Sequence, residues 1–128
     1  MQILLDTCTF LWMISGDGQL SKRAERAICD PENEVFLSAA SCWEIAVKYS
    51  LGKLALPDAP AEYIPQQRDR HGVEPLTIGE GAALIYASLP DVHRDPFDRI
   101  LVCQALDLGL ILASPDPVLR KYPAKLLW

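Results

Sequence analysis

The distribution of apolar residues leaves few folds open to this chain. Three short apolar runs, at residues 3–5, 35–37 and 110–112, alternate with longer amphipathic segments. Each run is too short to be a helix and has the length of a buried strand. Strands that alternate with helices are typical of a parallel sheet covered on both faces. The sequence therefore predicts an α/β fold with three layers, α/β/α, around a mostly parallel sheet of four to five short strands.

Capping signals predict where several helices begin and end. Asp95 and Pro96 fit an N-cap and a first helical position, and Gly109 fits the end of that helix. The segment 21–29 is predicted to be a surface helix. Capping boxes at residues 41–44 and 77–80 predict helices that run to Gly52 and over residues 82–89. In the first of these, the residues predicted to face the core are Trp43, Ala46, Val47 and Ser50.

Residues 54–72 have no readable period, because three prolines interrupt them. The chain has 128 residues, the size of one ordinary domain, and we expect residues 1–128 to form a single domain.

Cysteine usage and apolar content predict a cytoplasmic protein with no membrane association. The four cysteines lie far apart with no CxxC pair, which favours free thiols in a reducing compartment. No cationic leader precedes the first apolar run, and Asp6 interrupts that run. The apolar stretch at residues 10–14 is far shorter than the roughly 18 residues that a membrane span needs.

Acidic residues follow the predicted strands at their carboxyl ends. Asp6 comes directly after the first strand and Asp116 shortly after the last clear one, while Glu44 and Asp98 fall in the first turns of predicted helices. In open parallel sheets, ligands bind outside the carboxyl ends of the strands. Four carboxylates from distant parts of the chain are therefore expected to meet in one pocket.

Carboxylates gathered in this way predict a metal site. They would repel one another and take up protons unless a cation were present. Hard cations such as Mg²⁺ and Mn²⁺ prefer such oxygen ligands. Two ions about 4 Å apart can activate a water and stabilise both oxygens at a phosphodiester. Phosphodiester hydrolysis is the chemistry that the four acids favour.

Each acid also has a structural interpretation. Asp6 and Asp95 can be helix N-caps, Glu44 can complete a capping box and pair with Lys48, and Asp116 can be a turn residue. No single acid decides the matter, and the metal hypothesis depends on their joint placement. The two histidines, His71 and His93, are predicted to be surface residues.

A phosphohydrolase that works through an aspartyl-phosphate at Asp6 is a weaker alternative, because Cys8 stands where a second aspartate would help. The chain has no glycine-rich phosphate-binding motif. Its formal net charge of −5 argues against holding nucleic acid by bulk positive charge.

Several motifs resemble those of the PIN-domain ribonucleases, in particular the VapC-type toxins of bacterial type II toxin–antitoxin systems. The resemblance extends from Met1 to about Tyr122. The motifs that carry it are Leu4-Leu5-Asp6-Thr7, Ser38-Ala39-Ala40-Ser41-Cys42-Trp43-Glu44-Ile45-Ala46-Val47-Lys48, Leu51-Gly52-Lys53-Leu54, His93-Arg94-Asp95-Pro96-Phe97-Asp98-Arg99 and Ser114-Pro115-Asp116.

This resemblance implies a PIN-like domain that is a Mg²⁺- or Mn²⁺-dependent endoribonuclease, with one or two ions. The implied catalytic and metal-binding residues are Asp6, Glu44, Asp98 and Asp116, with Asp95 as an additional acid and Thr7 and Ser114 as supporting polar groups. Family members act on structured RNA such as tRNA, commonly form homodimers and are silenced by a VapB-type antitoxin.

Basic residues near the acids are candidates for RNA phosphate contacts. These are Arg94, Arg99 and Lys48. The alternatives are a Lys48 that only pairs with Glu44, and an Arg99 that pairs with Asp95 or Asp98. At the level of function, the alternative is a catalytically silent RNA-binding module with the same fold.

Overall fold

The computed structural model describes residues 1–128 and is built on one five-stranded sheet in which every neighbouring pair is parallel. The strand order is β3-β2-β1-β4-β5. The strands are β1 (Gln2–Leu5), β2 (Glu34–Ser38), β3 (Val73–Leu76), β4 (Ile111–Ala113) and β5 (Lys125–Leu127). The helices are α1 (Thr7–Ser15), α2 (Lys22–Cys29), α3 (Ala39–Ser50), α4 (Pro60–His71), α5 (Glu80–Ile85) and α6 (Pro96–Leu108), with 3₁₀ turns at Tyr86–Ser88 and Pro117–Lys121.

Successive side chains of β1 enter two separate cores, one on each face of the sheet. Ile3 and Leu5 pack with Phe10 on one face, and Leu4 packs with Leu101 and other α6 residues on the opposite face. Because every β1 side chain from Ile3 onward is buried, the strand is apolar throughout rather than alternating. The three-layer α/β/α prediction is confirmed.

The two edge strands explain why the sequence showed only three clear runs. β3 contains Pro75, which lacks the N–H of a ladder bond and is tolerated because β3 lies at the edge. β5 has only three residues and forms the other edge. Neither strand has the continuous apolar run of a strand buried between two neighbours.

Helix α4 lies in the segment that the sequence left unreadable. Pro60 occupies its first turn, where a missing N–H costs nothing, and Pro65 lies inside the helix. The carbonyl that Pro65 cannot satisfy belongs to the exposed residue Ala61, which water can reach. Burial of Ile64 and Gln67 stabilises the helix despite Pro65, and Gly72 ends it with φ +66°.

Helix α3 begins three residues before the predicted capping box. Ser38 is its N-cap and accepts from the Ala40 N–H at 3.0 Å. The buried face of the helix carries Ala40, Ser41, Glu44 and Ile45. The predicted core stripe is therefore wrong, since Trp43, Ala46 and Ser50 are exposed. The capping box at residues 77–80 is also wrong, because Gly79 occupies the N-cap of α5 and makes no side-chain cap bond.

Replacing Ser38 by alanine is expected to lower the free energy of unfolding by about 2 kcal/mol. The Ser38 hydroxyl caps α3 and also donates to Gln104 Oε1 at 2.5 Å, so both partners would lose a buried bond. Ser41→Ala is the matched control and should cost less than about 1 kcal/mol, because it leaves the cap intact. Urea unfolding of both variants measures the difference, and a larger loss for Ser41→Ala would contradict the assigned cap.

The helix predicted over residues 82–89 is only partly correct, since α5 ends at Ile85 and a 3₁₀ turn follows at Tyr86–Ser88, and α3 ends at Ser50 rather than at Gly52. The predicted helices over residues 21–29 and after Asp95 are confirmed. Asp95 caps α6, Pro96 is its first residue, and Gly109 ends it in the left-handed conformation with φ +67°. Ser21 caps α2. No helix combines the length and apolar content that crossing a membrane would require.

Candidate active site

The candidate site lies where the strand order reverses at the carboxyl edge of the sheet. The chain adds β2 and β3 on one side of β1, and then β4 and β5 on the other. Leu5 lies opposite Ala113 in the register, so the segments that follow β1 and β4 leave the sheet side by side. Asp6 and Asp116 are carried by these two segments. A reversal of this kind opens the crevice in which open α/β sheets bind ligands.

Asp6 caps a helix with one carboxylate oxygen, and the other oxygen remains available as a metal ligand. It is only 4% exposed, and its Oδ1 accepts from the Thr9 N–H at 2.8 Å at the start of α1. Its own N–H donates to Ala113 O at 3.0 Å, which ties it to β4. The only contact at Oδ2 is a weak one, from the Cys8 thiol at 3.5 Å. The capping interpretation and the ligand hypothesis are therefore compatible for Asp6.

Asp98, Asp116 and His93 form the tightest cluster of potential metal ligands. His93 Nε2 lies 2.9 Å from Asp98 Oδ2 and 3.5 Å from Asp116 Oδ2. One ligand atom from each of the three residues lies within 4.8 Å of the others. The prediction that His93 is a surface residue is wrong, since its side chain is 22% exposed and faces two carboxylates. His71 is exposed, as predicted.

Burial and neighbouring acids raise the affinity of Asp98 for a proton. Burial, followed by the neighbouring charges of Asp95 and Asp6, raises the pKa of Asp98 to about 6 against the opposing hydrogen bond from His93. Burial and the Asp6 charge raise the pKa of the Cys8 thiol to about 12. Cys8 therefore stays protonated and adds no negative charge. Asp98 and Asp116 are partly buried, and the only basic side chain within 4 Å of either carboxylate is the His93 imidazole.

Glu44 lies outside the three-residue cluster, and both of its carboxylate oxygens already have partners. Thr7 donates to Oε1 at 2.6 Å, and Lys48 Nζ contacts Oε2 at 2.5 Å. Ser41 Oγ lies 3.0 Å from the Thr7 hydroxyl and supports it. Thr7 thus contacts Glu44 directly, and the alternative pairing of Lys48 with Glu44 is observed. The tight cluster of three ligand atoms does not include Glu44.

Two more predicted residues shape the backbone around the acids. Ser114 is buried, and its hydroxyl accepts from the Asp116 N–H at 3.2 Å, which fixes the turn that carries this acid. Asp95 caps α6 by accepting from the Phe97 N–H at 2.9 Å. Its charge lies close enough to Asp98 to raise the pKa of that carboxyl.

The prediction that Arg99 contacts RNA is corrected by its burial. The residue is 9% exposed, and its guanidinium donates to the carbonyls of Tyr86, Pro90 and His93 and to the Tyr122 hydroxyl. It also lies over the Tyr86 ring at 4.7 Å. It forms no ion pair with Asp95 or Asp98, so the alternative was also wrong. Arg99 holds the loop before α6, whereas Arg94 is exposed and Lys48 half-exposed.

An exposed aromatic pair borders the acids. Trp43 precedes Glu44 and is 63% exposed, and its ring meets that of Phe97, which precedes Asp98, edge to face at 5.1 Å. Sequence reasoning assigned Trp43 to the core and so missed this surface. The apolar pattern could not reveal this surface, because the inner face of α3 carries the polar residues Ser41 and Glu44.

A family model described as PIN domain matches residues 3–125 of this chain. The chain belongs to the PIN-domain family. Over 49 residues this PIN domain is 49% identical to ribonuclease VapC16 of Mycobacterium tuberculosis, a match that covers 38% of this chain and 35% of that protein. The match thus spans about a third of the length of that relative.

Solved structures share the fold along nearly the whole PIN domain. VapBC2 from Rickettsia felis, crystallised with a DNA fragment from its promoter, has a TM-score of 0.74 at 14% identity and covers 98% of this chain and 97% of its own. DNA-bound VapBC from Salmonella typhimurium has a TM-score of 0.68 at 17% identity, with 98% and 96% covered. At these identities, the similarity shows the fold alone.

The residues of this PIN domain fit a divalent cation. Asp6 Oδ2, the Asp98 carboxylate and the Asp116 carboxylate are oxygen donors with no lysine or arginine bound to them, and burial disfavours the charged form of Asp98. Carboxylate oxygens are ligands that Mg²⁺ and Mn²⁺ accept. A cation at this place would offset the repulsion that raises the pKa of Asp98.

Proposed function

We propose that residues 1–128 form a single-domain endoribonuclease that depends on Mg²⁺ or Mn²⁺ and acts as a VapC-type toxin. The observation that carries this proposal is the convergence of Asp98 and Asp116 beside Asp6 at the point where the strand order of a PIN fold reverses. Similarity to a protein named ribonuclease VapC16 supports it. Structured RNA, including tRNA, is the proposed substrate class, and the cytoplasm is the proposed location.

Each acid has a separate task in this proposal. Asp6, Asp98 and Asp116 would hold the cation, and Asp95 supplies further negative charge beside Asp98. Glu44, kept in place by Thr7 and Lys48, would add a further carboxylate to the site. When bound, the divalent cation supplies the positive charge that activates water and neutralises the phosphodiester. The chain itself orients the acids and shields them from bulk solvent.

The proposed antitoxin partner rests on the relatives, and the proposed homodimer rests on the resemblance of the sequence motifs to the VapC-type family, rather than on a contact of this chain. Structures named VapBC share its fold, which supports a VapB-type antitoxin as the partner. Size-exclusion chromatography of the toxin, alone and co-expressed with the product of the adjacent reading frame, measures both assemblies. A monomer that does not co-purify with that product would contradict this part of the proposal.

RNA cleavage by the purified protein is expected to require a divalent cation. A pool of cellular RNA incubated with Mg²⁺ or Mn²⁺ should be cut, EDTA should stop cleavage, and excess Mn²⁺ should restore it. Denaturing gels measure the fragments. A parallel preparation of Asp6→Asn is the control for contaminating nucleases, because it passes through the same purification.

Other outcomes of this assay would favour the alternatives. Cleavage that continues in EDTA would contradict the metal-dependent mechanism. RNA binding without cleavage at any metal concentration would indicate the silent binding module. Release of phosphate from small monoesters, with a trapped aspartyl-phosphate, would indicate the phosphohydrolase.

Trp43→Ala is expected to weaken RNA binding about tenfold while kcat changes little. Its ring is exposed beside the acids, and stacking a base on an aromatic side chain contributes roughly 1–3 kcal/mol. Leu51→Ala is the matched control, because Leu51 is equally exposed and follows the far end of α3. KM for a short single-stranded RNA measures the effect. An equal rise in KM for both variants would contradict a stacking role.

A further inference from the structure

We propose that His93 is a nitrogen ligand of the cation held by Asp98 and Asp116, which makes this a mixed imidazole and carboxylate site that favours Mn²⁺ over Mg²⁺. The inference rests on the proposed function, because it requires that the two aspartates hold a cation. It goes further by adding a residue outside the acidic set and by choosing between the two ions.

The positions of the three donor atoms carry the inference. His93 Nε2 is 2.9 Å from Asp98 Oδ2 and 3.5 Å from Asp116 Oδ2. Around an octahedral ion with ligand distances of about 2.1 Å, adjacent donor atoms lie about 3 Å apart. The imidazole nitrogen therefore lies at about this spacing from each carboxylate oxygen, and all three donor atoms lie within 4.8 Å of one another.

A hydrogen bond alone accounts less well for this arrangement. A single Nε2–H can donate fully to only one carboxylate, and the contact to Asp116 at 3.5 Å is too long for a good bond. A cation between the three groups could be bound by the imidazole and by both carboxylates at once. With the nitrogen as a ligand, His93 needs no proton at Nε2.

The backbone of His93 is held by a buried group. Arg99 Nη1 donates to His93 O at 3.3 Å and to Pro90 O at 3.0 Å, so a guanidinium that faces away from solvent fixes the loop before α6. A histidine on a mobile surface loop would not be restrained in this way. The loop positions the imidazole before any ion binds.

The donor set decides the ion. Imidazole is a good ligand for transition metals, whereas Mg²⁺ prefers an all-oxygen set with several waters. Removing the imidazole should therefore weaken Mn²⁺ binding more than Mg²⁺ binding. We expect His93→Ala to lower Mn²⁺ affinity at least about tenfold and Mg²⁺ affinity no more than about threefold.

Electron spin echo spectroscopy of bound Mn²⁺ tests the ligand directly, without measuring activity. The chain has two histidines, so His71→Ala is the matched control. A ¹⁴N modulation is expected in the unaltered protein and in His71→Ala, and its loss is expected in His93→Ala. Labelling the histidines with ¹⁵N should change the modulation frequency in the unaltered protein, a result that depends on no variant.

Isothermal titration with each metal completes the test. Mn²⁺ that binds without nitrogen modulation would overturn the assignment of His93 while leaving the metal-dependent function intact. Tighter metal binding by His93→Ala would also overturn it, because the imidazole would then be blocking the site. If the protein bound neither ion, that result would contradict the proposed metal-dependent function itself. It can be told apart from Mn²⁺ binding without nitrogen modulation.

Discussion

Asp6→Asn is expected to reduce RNA cleavage by more than about a hundredfold while the protein stays folded. Asparagine caps helices as well as aspartate does, so the bond from the Thr9 N–H at 2.8 Å can persist and α1 should keep its start. The lost group is the second carboxylate oxygen with its charge. Even outer partners of metal ligands contribute about 10-fold to 100-fold, and a direct ligand should contribute more.

This substitution separates the two roles of Asp6. Cleavage rates and Mn²⁺ titration measure the ligand role, and urea unfolding measures the cap, where a change below about 1 kcal/mol is expected. Asp95→Asn is the matched control, because Asp95 caps α6 through the same kind of bond. Full cleavage by Asp6→Asn would show that Asp6 is only a cap. A large loss in Asp95→Asn would identify that acid as a further ligand.

Arg99→Lys is expected to lower the melting temperature by on the order of 10 °C. The guanidinium donates hydrogen bonds to three backbone carbonyls and one tyrosine hydroxyl. A single ammonium group does not reproduce this geometry. Buried carbonyls left without donors are destabilising. The loop before α6 should loosen first, since it depends on this side chain.

Arg94, which belongs to the same sequence motif at residues 93–99, provides the control for Arg99. Arg94 is exposed and precedes the same helix, so Arg94→Lys should leave the melting temperature nearly unchanged. Differential scanning calorimetry of the two variants compares them. An unchanged melting temperature for Arg99→Lys, with a raised KM for RNA, would restore the RNA contact that burial argues against.

Local signals explain what the sequence could predict. β1, β2 and β4 are continuous apolar runs, and the start and end of α6 depend on Asp95, Pro96 and Gly109, which act within a few residues of themselves. The joint position of Asp6 and Asp116 followed from the parallel sheet, because its strands end at one edge. These predictions needed no knowledge of which side chains meet across the fold.

The wrong predictions, in contrast, concern residues whose positions depend on tertiary packing. Ser41, Glu44 and Thr7 form a buried polar group on the inner face of α3, so the pattern of apolar residues gave the wrong face. The partners of His93 and Arg99 are set by tertiary packing, which no spacing encodes. Functional sites break local rules in this way, and the candidate site is where the predictions failed most.

The central position of β1 determines when the acidic pocket can form during synthesis. Its partner β4 is encoded near the other end of the sequence, and the Thr9 hydroxyl bonds to Ala113 O across 104 residues. Contacts so distant along the chain form late in folding. A growing chain would contain Asp6 and Glu44 long before Asp98 and Asp116 could join them. The proposed metal site would therefore remain incomplete until residues 98–116 have been synthesised and packed against β1.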